Sequence, residues 1–408
     1  MGQGAALVLT LVVECLVVVV LLRPSVIGMS RIIAAAAAAS LLTHPFAWRA
    51  AAALSPDGYA QGVAIIEVAV VLVEAAVLRL LLPVDARRAF VIATIANLVS
   101  FTAGLALMAP VPLYIVALAL FGLPHVVWEM AFVKSRYGAR WPLRWWHALW
   151  AVLALQALMR AAAAVGWVSP LWVAASDIAT LALIGAIVVC APRGTGIAAR
   201  VVGAAGSLAL AGLLAAGEPV VALLWLSLLH NFTPLLLAWD LAREDATQRA
   251  VAWGVTALMA LPVLVVVGAI GSPGLAAWIA TAQGGASGTA PLASQLPFGA
   301  TPALLPALLT ALVLAQCAHY LSVIHLLPQA EARRSGRPPL PQRARSLALL
   351  ASAVMAAFFL IDHAEAREWY AVAAGAHAWL EWPVLLMAWL GGGALLAQAG
   401  EGLERGHA

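Results

Sequence analysis

Long apolar stretches recur along the 408 residues of the chain, and each is about as long as a helix that crosses a lipid bilayer. A hydrocarbon core ~30 Å thick needs about 20 predominantly apolar residues in a helix. Hydrophobic residues make up 64% of the chain and charged residues only 10%, which excludes an ordinary soluble domain. We therefore predict an all-α, polytopic integral membrane bundle of about thirteen transmembrane helices. The predicted spans are 5–22, 32–54, 61–83, 88–108, 111–133, 145–165, 170–191, 196–216, 218–241, 250–270, 302–327, 346–361 and 369–390.

The positions of Lys and Arg predict the orientation of the bundle. These residues accumulate in alternate loops, for example at 134–144 and 333–345, and only Arg367 departs clearly from the pattern. Because basic residues concentrate in short cytoplasmic loops, we expect the N-terminus outside and the C-terminus in the cytoplasm, in a bacterial inner membrane. The formal net charge of +4 then reflects topology. Since no basic surface interleaved with aromatic residues is visible, we expect membrane lipids and no nucleic acid as partners.

A break near 109–112 divides the predicted spans into an N-terminal four-helix block, residues 1–110, and a second block, residues 111–408. In the first block Glu67 and Glu74 are seven residues apart and share one helical face, and His44 lies in the preceding span. These three side chains predict a small metal-binding or proton-handling site near the middle of the membrane. Protonated carboxyl groups hydrogen-bonded between helices are the alternative. The segments around Glu14 and Glu74 are similar in sequence and form a weak internal repeat.

Histidines interrupt several apolar spans of the second block. An ionisable side chain inside a bilayer is costly, and such residues are usually paired, face a cavity or serve a function. With a helical rise of ~1.5 Å per residue, His125, His230 and His319 lie at similar depth, so that their rings can converge. Converging imidazoles suit a transition-metal centre such as non-haem iron, with open positions for substrate or O2. Hydrogen bonds from each His across a helix pair are the alternative that needs no metal.

The candidate site residues of this block divide into ligands and residues that orient them. The candidate metal ligands are His125, His230 and His319, with His325 or His377 as the fourth. The side chains expected to orient the imidazole rings are Glu129, Tyr320 and Asn231, of which Glu129 and Tyr320 are the candidate catalytic residues. Glu129 follows His125 by four residues, and Glu381 follows His377 by four, so each pair addresses one face of its helix.

Residues 122–125, Gly-Leu-Pro-His, resemble the Gly-x-Pro-His-Gly signature of the Brp/Blh family, which are bacterial integral-membrane β-carotene 15,15′-dioxygenases. His319, Tyr320 and the following His325 are similar to the later histidine-rich helix of that family. The resemblance covers residues 111 to about 390, and Val126 stands where the signature has Gly. It implies an Fe(2+) ion held by histidines in the membrane and cleavage of the central double bond of a carotenoid with O2 to give retinal. The expected function is therefore a non-haem iron oxygenase acting on a lipophilic small molecule.

Other classes of function stay open on the sequence. A haem-linked or quinol-linked redox protein also uses intramembrane histidines as axial ligands. A proton- or cation-coupled transporter would place ionisable residues along its path; the candidates are Glu14, Glu67, Glu74, Asp177 and His44. Asp177 can instead pair with Arg160, because a short turn joins the two spans that carry them. A purely structural partner subunit predicts no bound metal.

Overall fold

The computed structural model describes residues 2–22, 28–139, 141–190, 197–216, 229–283 and 304–404. All regular structure in these ranges is helical, so the predicted all-α class is confirmed. The helices are α1 (Gln3–Leu22), α2 (Met29–Ala52), α3 (Tyr59–Leu81), α4 (Ala86–Met108), α5 (Pro110–Tyr137), α6 (Leu143–Ala164), α7 (Pro170–Val189), α8 (Ile197–Ala215), α9 (Thr233–Glu244), α10 (Arg249–Gly271), α11 (Pro273–Ala282), α12 (Leu305–Leu321), α13 (Leu327–Ser335), α14 (Gln342–Ile361) and α15 (His363–Glu404). Single turns of 3₁₀ helix occupy Pro56–Gly58 and Ala246–Gln248, and a π-helical turn, Ser322–Leu326, joins α12 to α13.

The described part of each predicted span lies mainly on a helix; residues 191, 196, 218–228 and 302–303 of these spans lie outside the described residues. Within the described ranges, seven helical segments are long and apolar enough to cross a membrane: Ala86–Met108, Pro110–Tyr137, Leu143–Ala164, Leu171–Val189, Ala246–Gly271, Leu305–Ser335 and Gln342–Ile361. Two shorter apolar helical segments, Gln3–Val19 and Arg200–Ala215, accompany them. These segments support a membrane protein, whereas the number thirteen and the orientation stay predictions.

One short helix lies where the sequence analysis expects only an uncharged loop, at 271–300. The ten residues of α11 begin with Pro273, and the Ser272 side chain accepts a hydrogen bond from the Leu275 backbone N–H at 3.3 Å. Ser before Pro is a helix start, because Ser caps a free N–H and Pro has none to leave unsatisfied. The loop assignment of 273–282 is therefore corrected.

The described residues form two compact units. The first contains those of Met1–Leu113, Val266–Thr289 and Pro302–Thr310, and the second contains those of Tyr114–Val265 and Ala311–Ala408. In the first unit α1 to α4 pack in sequence and α4 closes against α1, with Ile32, Ala89 and Ala93 fully buried between them. The small alanine side chains let neighbouring helix backbones approach closely.

The second unit is organised around α15, which packs against α6, α7, α8, α9 and α14. Its core contains large buried side chains such as Phe132, Leu149, Leu237 and Trp379. Within this unit the predicted pairing of Asp177 with Arg160 is confirmed, since the guanidinium Nη2 lies 2.7 Å from the carboxylate Oδ2. The pair is partly buried, as expected for charges that lie between apolar helices.

Candidate metal centre

Four histidines and one glutamate from four separate chain segments meet inside the second unit. Each residue offers one ligand atom, and these five atoms all lie within 4.8 Å of one another. The residues are His125 and Glu129 of α5, His230 just before α9, His319 of α12 and His377 of α15. Among the residues that the structure describes, this is the one His, Cys, Asp and Glu group compact enough to hold a metal ion.

The helices around the group are irregular at the positions that matter. In α5, Gly122 faces the ring of Tyr370, and a Cβ at this position would lie 2.9 Å from Tyr370 Cε2. The Gly therefore lets a buried aromatic ring from α15 pack one turn away from His125. In the segment after His319, the chain widens into the π-helical turn Ser322–Leu326. Such turns are rare and are often found at functional sites.

The distances between donor atoms are short. His377 Nε2 lies 3.0 Å from His125 Nε2 and 3.1 Å from His230 Nε2. Glu129 Oε2 lies 3.2 Å from His319 Nε2 and 3.8 Å from His377 Nε2. An ion with metal-to-donor bonds of about 2.1 Å at right angles places adjacent donors about 3.0 Å apart and opposite donors about 4.2 Å apart. These four separations fall between 3.0 and 3.8 Å, and all five donor atoms lie within 4.8 Å of one another, so the group is compact enough to hold one ion.

Hydrogen bonding alone does not satisfy this group. His125 Nδ1 lies 3.2 Å from the Phe121 carbonyl oxygen, and His230 Nδ1 lies 2.8 Å from Glu381 Oε2. Each of these rings carries its proton on Nδ1 if it donates there, which leaves a bare lone pair on Nε2. His377 can give a single proton to only one of the two lone pairs. Both carboxylate oxygens of Glu129 are buried, and neither makes a well-aligned hydrogen bond, although Oε2 lies 3.2 Å from His319 Nε2 and the Glu381 carboxyl group also interacts with this carboxylate. A cation at the centre would satisfy all of these atoms.

Burial separates the group from water. Four of the five residues expose 1% or less of their surface: His125, His319, His377 and Glu129. Charged groups are not tolerated in such an environment without partners, and this favours neutral imidazoles that act as lone-pair donors.

The structure places Glu129 among the donors and not behind them, where the sequence analysis expected an orienting residue. Tyr320 stands beside the group: its ring centroid is 4.5 Å from that of His125, and its hydroxyl accepts a hydrogen bond from Gln316 Nε2 at 2.9 Å. A catalytic role for Tyr320 stays a prediction, whereas its contact would hold the His125 ring.

His325, one of the candidate ligands, is not among the converging residues. Its side chain is exposed and lies near Gln329, whose Nε2 is 3.2 Å from His325 Nε2. The chain passes through the π-helical turn Ser322–Leu326 between the two residues, and His319 is buried whereas His325 is exposed. Of the two candidates for the fourth ligand, His377 lies in the group and His325 lies outside it.

Glu381 is the site residue that the sequence analysis did not assign. Its Oε2 lies 2.8 Å from His230 Nδ1 and 3.0 Å from Thr233 Oγ1. The i, i+4 spacing of His377 and Glu381 was a signal for this position, but it suggested a contact within one helix, whereas the observed partner comes from another segment.

The predicted secondary site of His44, Glu67 and Glu74 does not form as a metal-binding group. His44 stacks on Trp48 of its own helix, with ring centroids 6.1 Å apart. Glu67 is only half-buried and lies two helical turns, or about 10.5 Å, from Glu74. The residue that accompanies Glu74 in the core of the first unit is instead Glu14, from α1.

Glu14 and Glu74 are both buried, and hydroxyl and amide groups of α2 and α4 surround them. Glu14 accepts hydrogen bonds from Ser40 Oγ at 2.6 Å and Ser100 Oγ at 2.7 Å. Glu74 accepts one from Thr43 Oγ1 at 2.7 Å and another from Asn97 Nδ2. Every carboxyl oxygen thus has a donor, which is the arrangement expected of polar groups that hold membrane helices together.

Comparisons with protein-family models, curated proteins and solved structures find no match to this chain.

Proposed function

We propose that the chain is a membrane-embedded oxygenase with a histidine-ligated, non-haem Fe(2+) ion, which uses O2 to oxidise a lipophilic small molecule. The observation that carries this proposal is the meeting of five donor atoms, four of them on buried residues, from four segments of an apolar helical protein, within 4.8 Å. Buried polar atoms in apolar surroundings are costly unless they are satisfied. A group of this kind is therefore best explained by the ion that would satisfy it.

The donor set favours iron. Imidazole nitrogens together with a carboxylate are the ligands that non-haem Fe(2+) takes in oxygenases. Imidazole also binds zinc, but zinc sites are usually four-coordinate with three or four protein ligands, fewer than the five donors here. Five protein donors leave one position of a six-coordinate ion for an exogenous ligand. When bound, the iron would supply the activation of O2.

The residues of the chain would prepare the site for this chemistry. Phe121 accepts a hydrogen bond from His125 Nδ1, so that Nε2 faces the centre. Tyr320 packs against the same ring and limits its rotation. The burial of the donors excludes bulk water, which keeps a reactive centre from side reactions.

The substrate class follows from the surroundings and from the resemblance. Apolar helices enclose the centre, so a lipophilic molecule that reaches the protein from the bilayer is the natural substrate. The two motifs that resemble the Brp/Blh family contain His125 and His319, and both lie in the group. This supports a carotenoid as the substrate to test first.

One observation weighs against the haem alternative. A haem with two axial histidines needs the plane between them for the porphyrin. Here His377 Nε2 lies about equally far from His125 Nε2 and His230 Nε2, at 3.0 and 3.1 Å, and Glu129 and His319 lie beside them. Protein donors would thus occupy the space that a porphyrin requires.

The proposal is tested with purified protein in detergent, loaded anaerobically with Fe(2+) and then exposed to O2 and β-carotene. Carotenoid absorbance and O2 concentration are followed together. We expect O2-dependent loss of the carotenoid with the wild type and with His325→Ala, and none with His125→Ala. Equal rates for the wild type and His125→Ala, or no oxidation of any polyene by iron-loaded wild type, would refute the oxygenase proposal.

A further inference from the structure

We infer that Glu381 is a positioning residue of the metal centre, which holds the His230 ring so that Nε2, and not Nδ1, faces the ion. This inference rests on the metal centre proposed above. It adds a residue from α15 that is not itself one of the five donors but acts through one of them.

The contact between the two side chains is direct and buried. Glu381 exposes 1% of its surface, and its Oε2 lies 2.8 Å from His230 Nδ1. A neutral imidazole carries one N–H, so a ring that donates through Nδ1 presents a lone pair at Nε2. In this structure that Nε2 is the atom 3.1 Å from His377 Nε2, inside the donor group.

The backbone is irregular where His230 leads into α9. Pro234 has no N–H, so the His230 carbonyl, four residues earlier, cannot accept the usual helical hydrogen bond from it. The Thr233 hydroxyl donates to that carbonyl instead, at 2.7 Å. The segment turns at Phe232, where φ is −96° and ψ is −2°, before α9 begins.

The other ring with a defined Nδ1 partner is held differently. His125 Nδ1 contacts a carbonyl oxygen four residues earlier in its own helix, that of Phe121. His230 has its Nδ1 partner on α15, the helix that also carries His377. Glu381 therefore fixes two things at once: the tautomer of His230, and the position of its segment relative to the helix that supplies another donor.

A carboxylate or carbonyl behind a metal-bound histidine typically contributes 10–100-fold to metal affinity. We therefore expect Glu381→Leu to weaken binding of a divalent ion by about 10–100-fold. Glu381→Gln retains a carbonyl oxygen that can accept the Nδ1 proton, so its affinity stays within about threefold of the wild type. Rescue by the amide would show that the hydrogen bond matters, and not merely the volume of the side chain.

The test titrates Co²⁺ into metal-free protein in detergent and records its visible absorption together with competition by a chelator. Glu74→Leu is the matched control, because it removes another buried and hydrogen-bonded glutamate that lies outside the centre. The expected result is weaker Co²⁺ binding and shifted bands in Glu381→Leu alone. If the Leu variant does not fold, Glu381→Met takes its place.

Three results would contradict the inference. Wild-type affinity and spectrum in Glu381→Leu would overturn it while leaving the metal centre intact. Equal weakening in Glu381→Leu and Glu74→Leu would mean that both act through general stability. Failure of the wild type to bind Co²⁺ would overturn the metal centre itself, and the inference with it.

Discussion

Replacing Arg136 by Met tests whether a buried ion-pair network holds the ligand-bearing segments together. The Arg136 side chain has 0% exposure, and its Nη2 lies 2.6 Å from Asp240 Oδ2. Nη1 lies 3.1 Å from Glu244 Oε2 and 3.9 Å from Glu331 Oε2. These contacts join α5, α9 and α13. His125 lies in α5, His230 lies just before α9, and His319 lies in α12, which continues into α13 through the π-helical turn.

The expected cost follows from burial. Asp240 and Glu331 expose 4% and 0% of their surfaces, so the loss of the guanidinium withdraws the neutralising charge from carboxylates that water hardly reaches. Removing one partner of a buried ion pair typically costs about 3–5 kcal/mol. Arg333 provides the control, because its side chain is exposed on α13, the helix that also carries Glu331. A substitution at an exposed position away from such contacts usually changes stability by less than about 0.5 kcal/mol.

The assay is unfolding in mixed micelles at increasing denaturant, with the free energy extrapolated to native conditions. We expect Arg136→Met to lose about 3–5 kcal/mol and Arg333→Met to lose less than about 0.5 kcal/mol. Equal losses for the two variants would refute the argument that burial determines the contribution of the Arg136 network.

Three further outcomes can be measured in the same assay. A chelator should destabilise iron-loaded protein by about 2.7 kcal/mol when free iron had been at 100 times its dissociation constant, and an unchanged midpoint would contradict this. Gly122→Ala should cost about 1–3 kcal/mol, because its methyl group would press on the Tyr370 ring; Gly254→Ala, which meets no atom within 4 Å, should cost less. Ser40→Ala should cost about 1–3 kcal/mol, since it removes the 2.6 Å hydrogen bond to buried Glu14, and a neutral effect would mean that another donor replaces it.

The positions of the helices were predictable because the membrane restricts the chain so strongly. A spanning segment has to bond its own backbone and be apolar for about 20 residues, which made spans such as 88–108 and 346–361 visible in the sequence. The ten residues of α11 carry no such signal. They are too short for a span, and Ser, Pro and Gly at their start also suit a loop.

The depth of the site histidines along their spans was predictable from the sequence, but the direction in which each side chain points was not. The rise per residue placed His125, His230 and His319 at a common level, and the structure brings them together. Depth does not say which way a side chain points, so the sequence left both His325 and His377 open as the fourth ligand, and the structure brings only His377 to the group. The contact of Glu381 with His230 joins residues 151 apart, and no spacing along one helix encodes such a contact.

The first unit shows a similar limit. Glu67 and Glu74 share a helical face, yet the carboxyl group that lies with Glu74 in the core comes from α1. The weak sequence repeat around Glu14 and Glu74 was the one feature of the sequence that related these two residues to each other. Which polar side chains meet depends on how four helices close into a bundle, and that arrangement follows from packing of small residues such as Ala89 and Ala93.

Metal content is the most direct test of the central claim that five donors from distant segments hold one ion. Purified protein grown with iron should contain about one equivalent of tightly bound metal by elemental analysis, and His44→Ala and His325→Ala should retain it. His125→Ala and His230→Ala should lose it. A wild type without stoichiometric metal, or ligand variants that retain it, would contradict the account.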